Sequence, residues 1–128
     1  MPVKWGVHTS GRFAVLTIDD PHSFGEWRST VLDMVAATSA SPHMCLLVDR
    51  RHSTPPSSEE VKQMIDFFEQ NRPVLARRSA AIVVADDAGF GVARMIELRS
   101  RLELPDGAIR VFRHYDDAVT WLTERSAV

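Results

Sequence analysis

The stretch MCLLVDRRHSTPPSSEEVKQMIDFF, residues 44–68, decides the fold class. It begins with five consecutive apolar residues, crosses polar and proline positions, and enters a segment with apolar residues at Val61, Met64, Ile65 and Phe68. An unbroken apolar run of this length is typical of a strand covered on both faces, whereas spacings of three and four mark one face of a helix. A buried strand followed by one amphipathic helix predicts a unit of a parallel α/β sheet.

A hairpin and a first helix are predicted upstream of this stretch. Residues 3–8 and 13–18 have strand composition, and the residues between them include Gly11, as expected for a tight turn. Ser23 and Glu26 stand three positions apart at the start of the next segment, which is the spacing of a capping box. The apolar residues that follow recur at helical intervals, so this segment is predicted to be an amphipathic helix.

Two further strand-helix units are predicted downstream. The apolar runs at residues 80–85 and 109–112 predict buried strands, and a pair of aspartates suited to a helix start follows each of them. The expected order is β-β-α-β-α-β-α-β-α in one α/β domain, residues 1–128. Because single helices connect successive strands, we expect a mixed, mostly parallel five-stranded sheet with the first strand antiparallel and the helices packed against the sheet.

The apolar stripes also predict which side chains of the second and third helices face the core. In the third helix, the residues expected to point inward are Val92, Met95, Ile96 and Leu102. In the second helix, Phe67 lies beside the predicted stripe rather than on it. We therefore expect Phe67 to be exposed and to offer a contact for a homodimer.

The composition is typical of a soluble globular chain and argues against several functional classes. A net charge of −2 and a pI near 6.2 give no basis for binding nucleic acid. No apolar stretch approaches the length of a membrane span, and residues 1–12 have no signal-peptide hydrophobic region, so a cytoplasmic protein is expected. The single cysteine, Cys45, and five scattered histidines predict neither a disulfide framework nor a metal site.

Two segments carry a resemblance to a known family. They are AAIVVADDAGFGVARMIEL, residues 80–98, and IRVFRHYDDAVTWL, residues 109–122. With the order of elements, the Phe112-Arg113 pair and the acidic helix start, these segments resemble the small bacterial SpoIIAA-like proteins. That family belongs with the STAS domains and, more distantly, with the CRAL-TRIO lipid-transfer fold. The resemblance covers nearly the whole chain and implies strands wound in sequence, with helices stacked against the sheet.

The resemblance also implies a role for the start of the second helix. In the anti-sigma-factor antagonists of this superfamily, a serine at this position is phosphorylated by a partner kinase. The corresponding loop here, RRHSTPPSSEE, lacks their Asp-Ser-x-Gly signature, and its candidate phosphoacceptors are Ser53, Thr54, Ser57 and Ser58. Free N–H groups at a helix start favour a phosphate. The alternative is that Ser57 only caps the helix, with Glu60 completing a capping box.

A second candidate site follows from the parallel arrangement of the strands, because ligands of open α/β sheets tend to bind at the carboxyl ends of the strands. The charged residues predicted at that edge are Asp19, Asp20, Asp49, Arg50, Arg51, Asp86, Asp87, Arg113 and His114. Arg94, in the third helix, is expected to join them. Such mixed charges predict either a polar pocket or partner surface, or a set of strand-end caps and weak surface ion pairs.

Motifs for nucleotide binding and for hydrolysis are incomplete. The glycines at positions 89 and 91 begin a dinucleotide fingerprint, but Arg94 stands where glycine or alanine is required. The residue types of a hydrolase triad occur within one short loop, at Asp49, His52 and Ser53, and no Gly-x-Ser-x-Gly elbow is present in the sequence. We therefore predict no catalytic residue, no cofactor and no metal ligand.

Three functional hypotheses follow. The first is a non-enzymatic regulatory module that binds a protein partner through the start of the second helix and the neighbouring strand ends. The second is a carrier of a small apolar or lipid ligand, which predicts an internal cavity on the order of several hundred Å³. The third is an enzyme that uses strand-end carboxylates, which predicts a strongly shifted pKa for Asp49 or Asp86 in a concave pocket.

Overall fold

The structure, a computed structural model, describes residues 2–75, 78–103 and 109–126. The strands of this part of the chain are β1 (Val3–Val7), β2 (Phe13–Asp19), β3 (Cys45–His52), β4 (Ala80–Val83) and β5 (Ile109–Phe112). Its helices are α1 (Phe24–Ala37), α2 (Ser58–Gln70), the single turn α3 (Arg72–Leu75), α4 (Asp87–Glu103) and α5 (Tyr115–Ser126). The predicted α/β class and the mixed, mostly parallel sheet are confirmed.

The first two strands form the predicted antiparallel hairpin. Val3 pairs with Ile18 and Val7 with Ala14. The turn is closed by hydrogen bonds from the Gly11 N–H to the His8 carbonyl at 2.8 Å and from the His8 N–H to the Phe13 carbonyl at 2.9 Å. Gly11 has a φ of 72°, a left-handed conformation that glycine adopts without the Cβ clash of other residues.

Strand order explains which helices share a face of the sheet. The strands lie in the order β1-β2-β3-β4-β5, and β2 to β5 are parallel. Right-handed crossovers between successive neighbours carry every connecting helix to one side. Accordingly, α1, α2 and α4 pack on the face that presents Leu16, Val48 and Ile82. The last helix, α5, follows the final strand and covers the opposite face, where Leu122 packs on Leu47.

The expectation that Phe67 is exposed is wrong. Phe67 is 3% exposed, and its ring packs edge-on against Trp27 of α1 with centroids 5.1 Å apart. Phe68 is only half-buried. The helix is rotated by about one position from the predicted stripe, because α2 packs against α1 more closely than against the sheet. Phe67 is therefore part of the core and offers no homodimer contact.

The inward assignment of Met95 in α4 is also wrong. Met95 is 65% exposed, whereas Ala93 and Ile96 are 5% and 6% exposed. Glu97 is 1% exposed and forms an ion pair with Arg94. A buried glutamate displaces the apolar stripe, so the hydrophobic pattern alone misplaces the inner face by one position. The side chain of Leu102 lies outside the described part of the chain.

Candidate ligand-binding site

A cavity lies between α2 and α4, above β3 and β4. It lies beside the contact between α2 and α1, where Phe67 packs against Trp27. We refer to this cavity as the trough. Its volume is about 80 Å³. That is smaller than the several hundred Å³ expected of a lipid carrier, and about half of the roughly 150 Å³ cavity known to admit benzene.

The body of the trough is apolar. Its floor comes from alternate residues of the two central strands, including Val48 and Ile82. Its walls come from Met64 and Phe68 of α2 and from Ile96 of α4. Residues two apart on a strand face the same side, so β3 and β4 present a continuous apolar surface to this space. The trough is thus suited to an apolar group of a few carbon atoms.

The open end of the trough lies at the carboxyl ends of β3 and β4. There Ser53, from the loop after β3, and Asp86 and Gly89, from the start of α4, contribute to the lining. Asp86 is exposed, so the cavity reaches solvent at this end. The loop after β3 and the loop after β4 therefore meet at one site, as the parallel arrangement predicted.

Arg50 is the charged residue at this end. It lines the trough and is 7% exposed. Its Nη2 donates to the Thr54 carbonyl oxygen at 3.3 Å, and no carboxylate of the described residues forms an ion pair with it. Burial lowers the pKa of Arg50, while the charges of Glu60 and Asp20 oppose that change from outside contact distance. A cation is thus held beside an apolar space with most of its donors uncommitted.

A small polar cluster, formed by Asp20, His22 and Glu60, contacts the loop that carries Ser53 through Thr54. His22 Nδ1 lies 3.2 Å from Asp20 Oδ1, and its Nε2 lies 3.9 Å from Glu60 Oε2. The Asp20 carboxylate accepts a hydrogen bond from the Thr54 N–H, and this bond is the main cause of the lowered pKa of Asp20. The sequence analysis placed Asp20 at this edge but missed His22. No sequence pattern links His22 to Glu60, which is almost forty positions away.

Arg78 lines the trough at its other end. It is 6% exposed, and burial lowers its pKa. Its Nη1 and Nη2 donate to the carbonyl oxygens of Met44 and Thr38, each at 3.4 Å, while its Nε is buried without a hydrogen-bond partner among the described residues. Arg78 therefore ties the end of α1 to the residue preceding β3.

Asp49 and Arg50 are neighbours in sequence but lie on opposite faces of the sheet. Asp49 is 5% exposed and faces away from the trough. Both of its oxygens accept hydrogen bonds from Arg51, at 2.9 Å from Nε and from Nη2. Arg51 also lies over the Tyr115 ring, 4.6 Å from the centroid. Burial raises the pKa of Asp49, but the bonds from Arg51 outweigh it and lower the pKa.

The serines at the start of α2 fill ordinary capping positions. Ser57 is the N-cap, and its hydroxyl oxygen accepts from the Glu60 N–H at 3.2 Å. The Glu60 carboxylate is directed toward His22, so the reciprocal half of the expected capping box is not formed between these two residues. Ser58 is exposed on the first turn. Neither serine lines the trough.

The start of α4 explains the glycine pair. The Asp86 carboxylate accepts a hydrogen bond from the Gly89 N–H at 2.6 Å. A Cβ at Gly89 would lie 3.0 Å from that carboxylate and 3.3 Å from the Val84 Cβ, so a side chain there would have to displace its neighbours by a few tenths of an ångström. A Cβ at Gly91 would meet nothing within 4 Å. Arg94 points outside the trough, toward Glu97.

Neither the described residues nor comparisons with known proteins assign a metal site, a membrane span or a family to this chain. Within the described ranges, no cluster of three or more His, Cys, Asp or Glu residues could hold a metal ion. None of the described helices has the length and apolar character needed to cross a bilayer. No protein-family model matches the chain. A search of curated proteins gives no significant match.

Proposed function

We propose that this chain is a non-enzymatic, cytoplasmic binding module of the SpoIIAA-like family that holds a small ligand in the trough. The observation that carries the proposal is an apolar cavity between α2 and α4 with a buried arginine at its open end. The element order and the sequential strand order support the family assignment, because the resemblance implies both. Binding at the carboxyl ends of the strands is also the usual mode of open α/β sheets.

The surroundings of the strand-end carboxylates favour binding over catalysis. A general acid or base works best with a pKa near the operating pH. Asp49 instead has a lowered pKa and both oxygens occupied by Arg51. It also faces away from the trough. The Asp86 carboxylate is engaged in capping α4 through Gly89. The Asp49 and Asp86 carboxylates therefore stabilise the folded structure.

The proposal is tested by NMR titration of the protein with butyrate and with butyramide, two four-carbon probes that differ in charge. Either probe should shift the amide signals of residues around the trough. Val48→Phe adds a ring to the trough floor and should abolish those shifts. Val7→Phe is the matched control, because Val7 is 52% exposed on a strand outside the trough. If neither probe shifts trough signals, or if Val48→Phe binds as the wild type does, the trough is not a ligand site.

A second candidate function, binding of a regulatory protein partner, is favoured by the exposure of Ser58 and Glu59 on the first turn of α2. Ser58→Arg should abolish recovery of a partner from host extract while leaving the melting temperature unchanged. Ser29→Arg, at an exposed position of α1, is the matched control and should retain the partner. Equal recovery by both variants removes this candidate. Ser57 and Asp49 are unsuitable for the test, because a cap and a buried ion pair would be lost with them.

A further inference from the structure

We infer that the trough selects a short-chain monocarboxylate, whose carboxylate pairs with the Arg50 guanidinium while its apolar chain lies over Val48 and Ile82. The inference rests on the proposed ligand-binding function and specifies the class of ligand. It depends on three features of the described residues: the unused donors of Arg50, the charges around it, and the size and polarity of the space beside it.

Arg50 lines the trough and has donors that form no hydrogen bond within the described part of the chain. A guanidinium carries five N–H groups in a fork that matches the two oxygens of a carboxylate. One hydrogen bond, from Nη2 to the Thr54 carbonyl, is formed within the described part of the chain. Arg78 Nε is sealed from solvent without a partner, whereas no Arg50 nitrogen is in that state. The uncommitted N–H groups of Arg50 therefore remain accessible to a ligand.

A carboxylate would compensate the cost of burying this cation. Arg50 is more than nine-tenths buried, and burial without a contacting counter-charge penalises its charged form. A neutral ligand would displace water from the guanidinium without replacing the lost charge interaction. A carboxylate would supply two charge-assisted hydrogen bonds in the same position. The open end of the trough thus favours an anion over a neutral molecule of equal shape.

The surrounding carboxylates limit the charge of that anion. Asp20 and Glu60 act on Arg50 electrostatically, and Asp86 lines the same end of the trough. From outside contact distance, these three negative charges weaken the attraction of an anion that is in direct contact with the guanidinium. A dianion doubles both the attraction and the repulsion, but the cost of removing it from water rises with the square of its charge. A monocarboxylate is therefore favoured over a phosphate monoester.

The space and the opposite end determine the rest of the ligand. A volume of about 80 Å³ is roughly half of a benzene-binding cavity, which suits an alkyl chain of about three or four carbons. The far end is occupied by Arg78, whose two terminal nitrogens already donate to carbonyl oxygens of Thr38 and Met44. The carboxylate is thus placed at Arg50 and the alkyl chain on the apolar floor.

The test compares butyrate with butyramide by NMR titration of the wild-type chain and three variants. The wild type should bind butyrate at least about tenfold more tightly than butyramide, the scale of a charge-assisted hydrogen bond. Arg50→Met should keep butyramide binding and lose the preference, and Arg50→Lys should keep only part of it. Arg110→Met, which removes an exposed arginine from β5, should behave as the wild type. Thermal melting of each variant verifies that it is folded.

The other possible outcomes distinguish failure of the carboxylate preference from failure of ligand binding itself. Equal binding of butyrate and butyramide overturns the selectivity for carboxylate while leaving ligand binding in the trough intact. Failure of both probes removes the proposed function together with this inference. A preference for butyrate that survives in Arg50→Met and is lost in Arg78→Met would show that the carboxylate binds at the Arg78 end. That result would overturn the inference. Tighter binding of butyl phosphate than of butyrate contradicts the argument from the surrounding carboxylates.

Discussion

Removing Arg51 should leave a buried, uncompensated carboxylate on the face of the sheet opposite the trough. Asp49 is 5% exposed, and both of its oxygens receive hydrogen bonds from Arg51. Breaking a fully buried ion pair from one side costs about 3–5 kcal/mol. The Arg51 side chain is 38% exposed, so solvent reduces this cost to about 2 kcal/mol. Loss of its contact with the Tyr115 ring adds about 0.5–1 kcal/mol. Arg51→Met should therefore lower the free energy of unfolding by about 3 kcal/mol.

The dependence of this loss on pH identifies its cause. In the wild type the pKa of Asp49 lies below its ordinary value of 3.8, so the pair stabilises the fold above that pH and its contribution is lost as the pH falls through the lowered pKa. In Arg51→Met, both guanidinium bonds are lost and only the backbone N–H of residue 51 still donates to Asp49, so burial is opposed less and the pKa of Asp49 rises relative to the wild type. The variant is then penalised at neutral pH and relieved as the carboxylate is protonated. The difference between the two proteins should be smaller at pH 4 than at pH 7.

Urea denaturation followed by circular dichroism at both pH values measures these free energies. The double variant Asp49→Leu/Arg51→Met removes both charges, so a double-mutant cycle should give a coupling energy of about 2 kcal/mol. A loss below about 0.5 kcal/mol for Arg51→Met, the scatter of ordinary surface substitutions, would refute the account of this pair. An equal loss at pH 4 and pH 7 would show that packing, not the Asp49 charge, is responsible.

Four further substitutions test the packing and capping of α2 and α4. Phe67→Ala should cost about 3–5 kcal/mol in urea denaturation, because the ring is 3% exposed; a loss below about 1 kcal/mol would restore the exposed assignment. Ser57→Ala should cost about 1 kcal/mol through loss of the α2 cap, and an unchanged unfolding midpoint would contradict that role. Gly89→Ala should lower the free energy of unfolding because the new Cβ approaches the Asp86 carboxylate to 3.0 Å, whereas Gly91→Ala should raise it by about 1 kcal/mol through the helix propensity of alanine; the reverse order would contradict the packing of α4.

Local features were predictable where neighbours in sequence are also neighbours in space. The capping box of Ser23 and Glu26 is formed as expected, with the Glu26 N–H 3.1 Å from the serine oxygen. Gly11 closes the hairpin turn as predicted. Such contacts span three or four residues and depend on backbone geometry that the local sequence itself favours. They required no knowledge of the rest of the chain.

The faces of two helices were mispredicted because tertiary packing determines helix rotation. Phe67 is buried through contacts with Trp27, a residue of another helix. Met95 is exposed because the inner face of α4 is shared by Ile96 and the buried Glu97. A stripe of apolar residues identifies the buried face to within about one position. The final position depends on the partner surface, which local periodicity does not contain.

The meeting of the loops after β3 and β4 at one edge of the sheet was predictable. Which residues line the trough was not. The apolar run that predicted the third strand ends at Val48, whereas β3 continues to His52. Side chains alternate along a strand, so this extension places Arg50 in the trough and Asp49 on the other face. The polar residues 49–52 resemble a loop in composition. They remain in the strand because Arg51 neutralises Asp49 and β2 continues alongside as a hydrogen-bonded partner.

The sequence by itself determined the order of strands and helices and the edge at which the strand ends gather, because apolar periodicity and the short connections leave few other arrangements. The tertiary structure alone decided that a trough exists and that Arg50 borders it. Both depend on where α2 settles, and α2 packs against α1 beside the trough. This position of α2 results from the packing of aromatic rings that lie far apart in the sequence. No local sequence pattern specifies such packing.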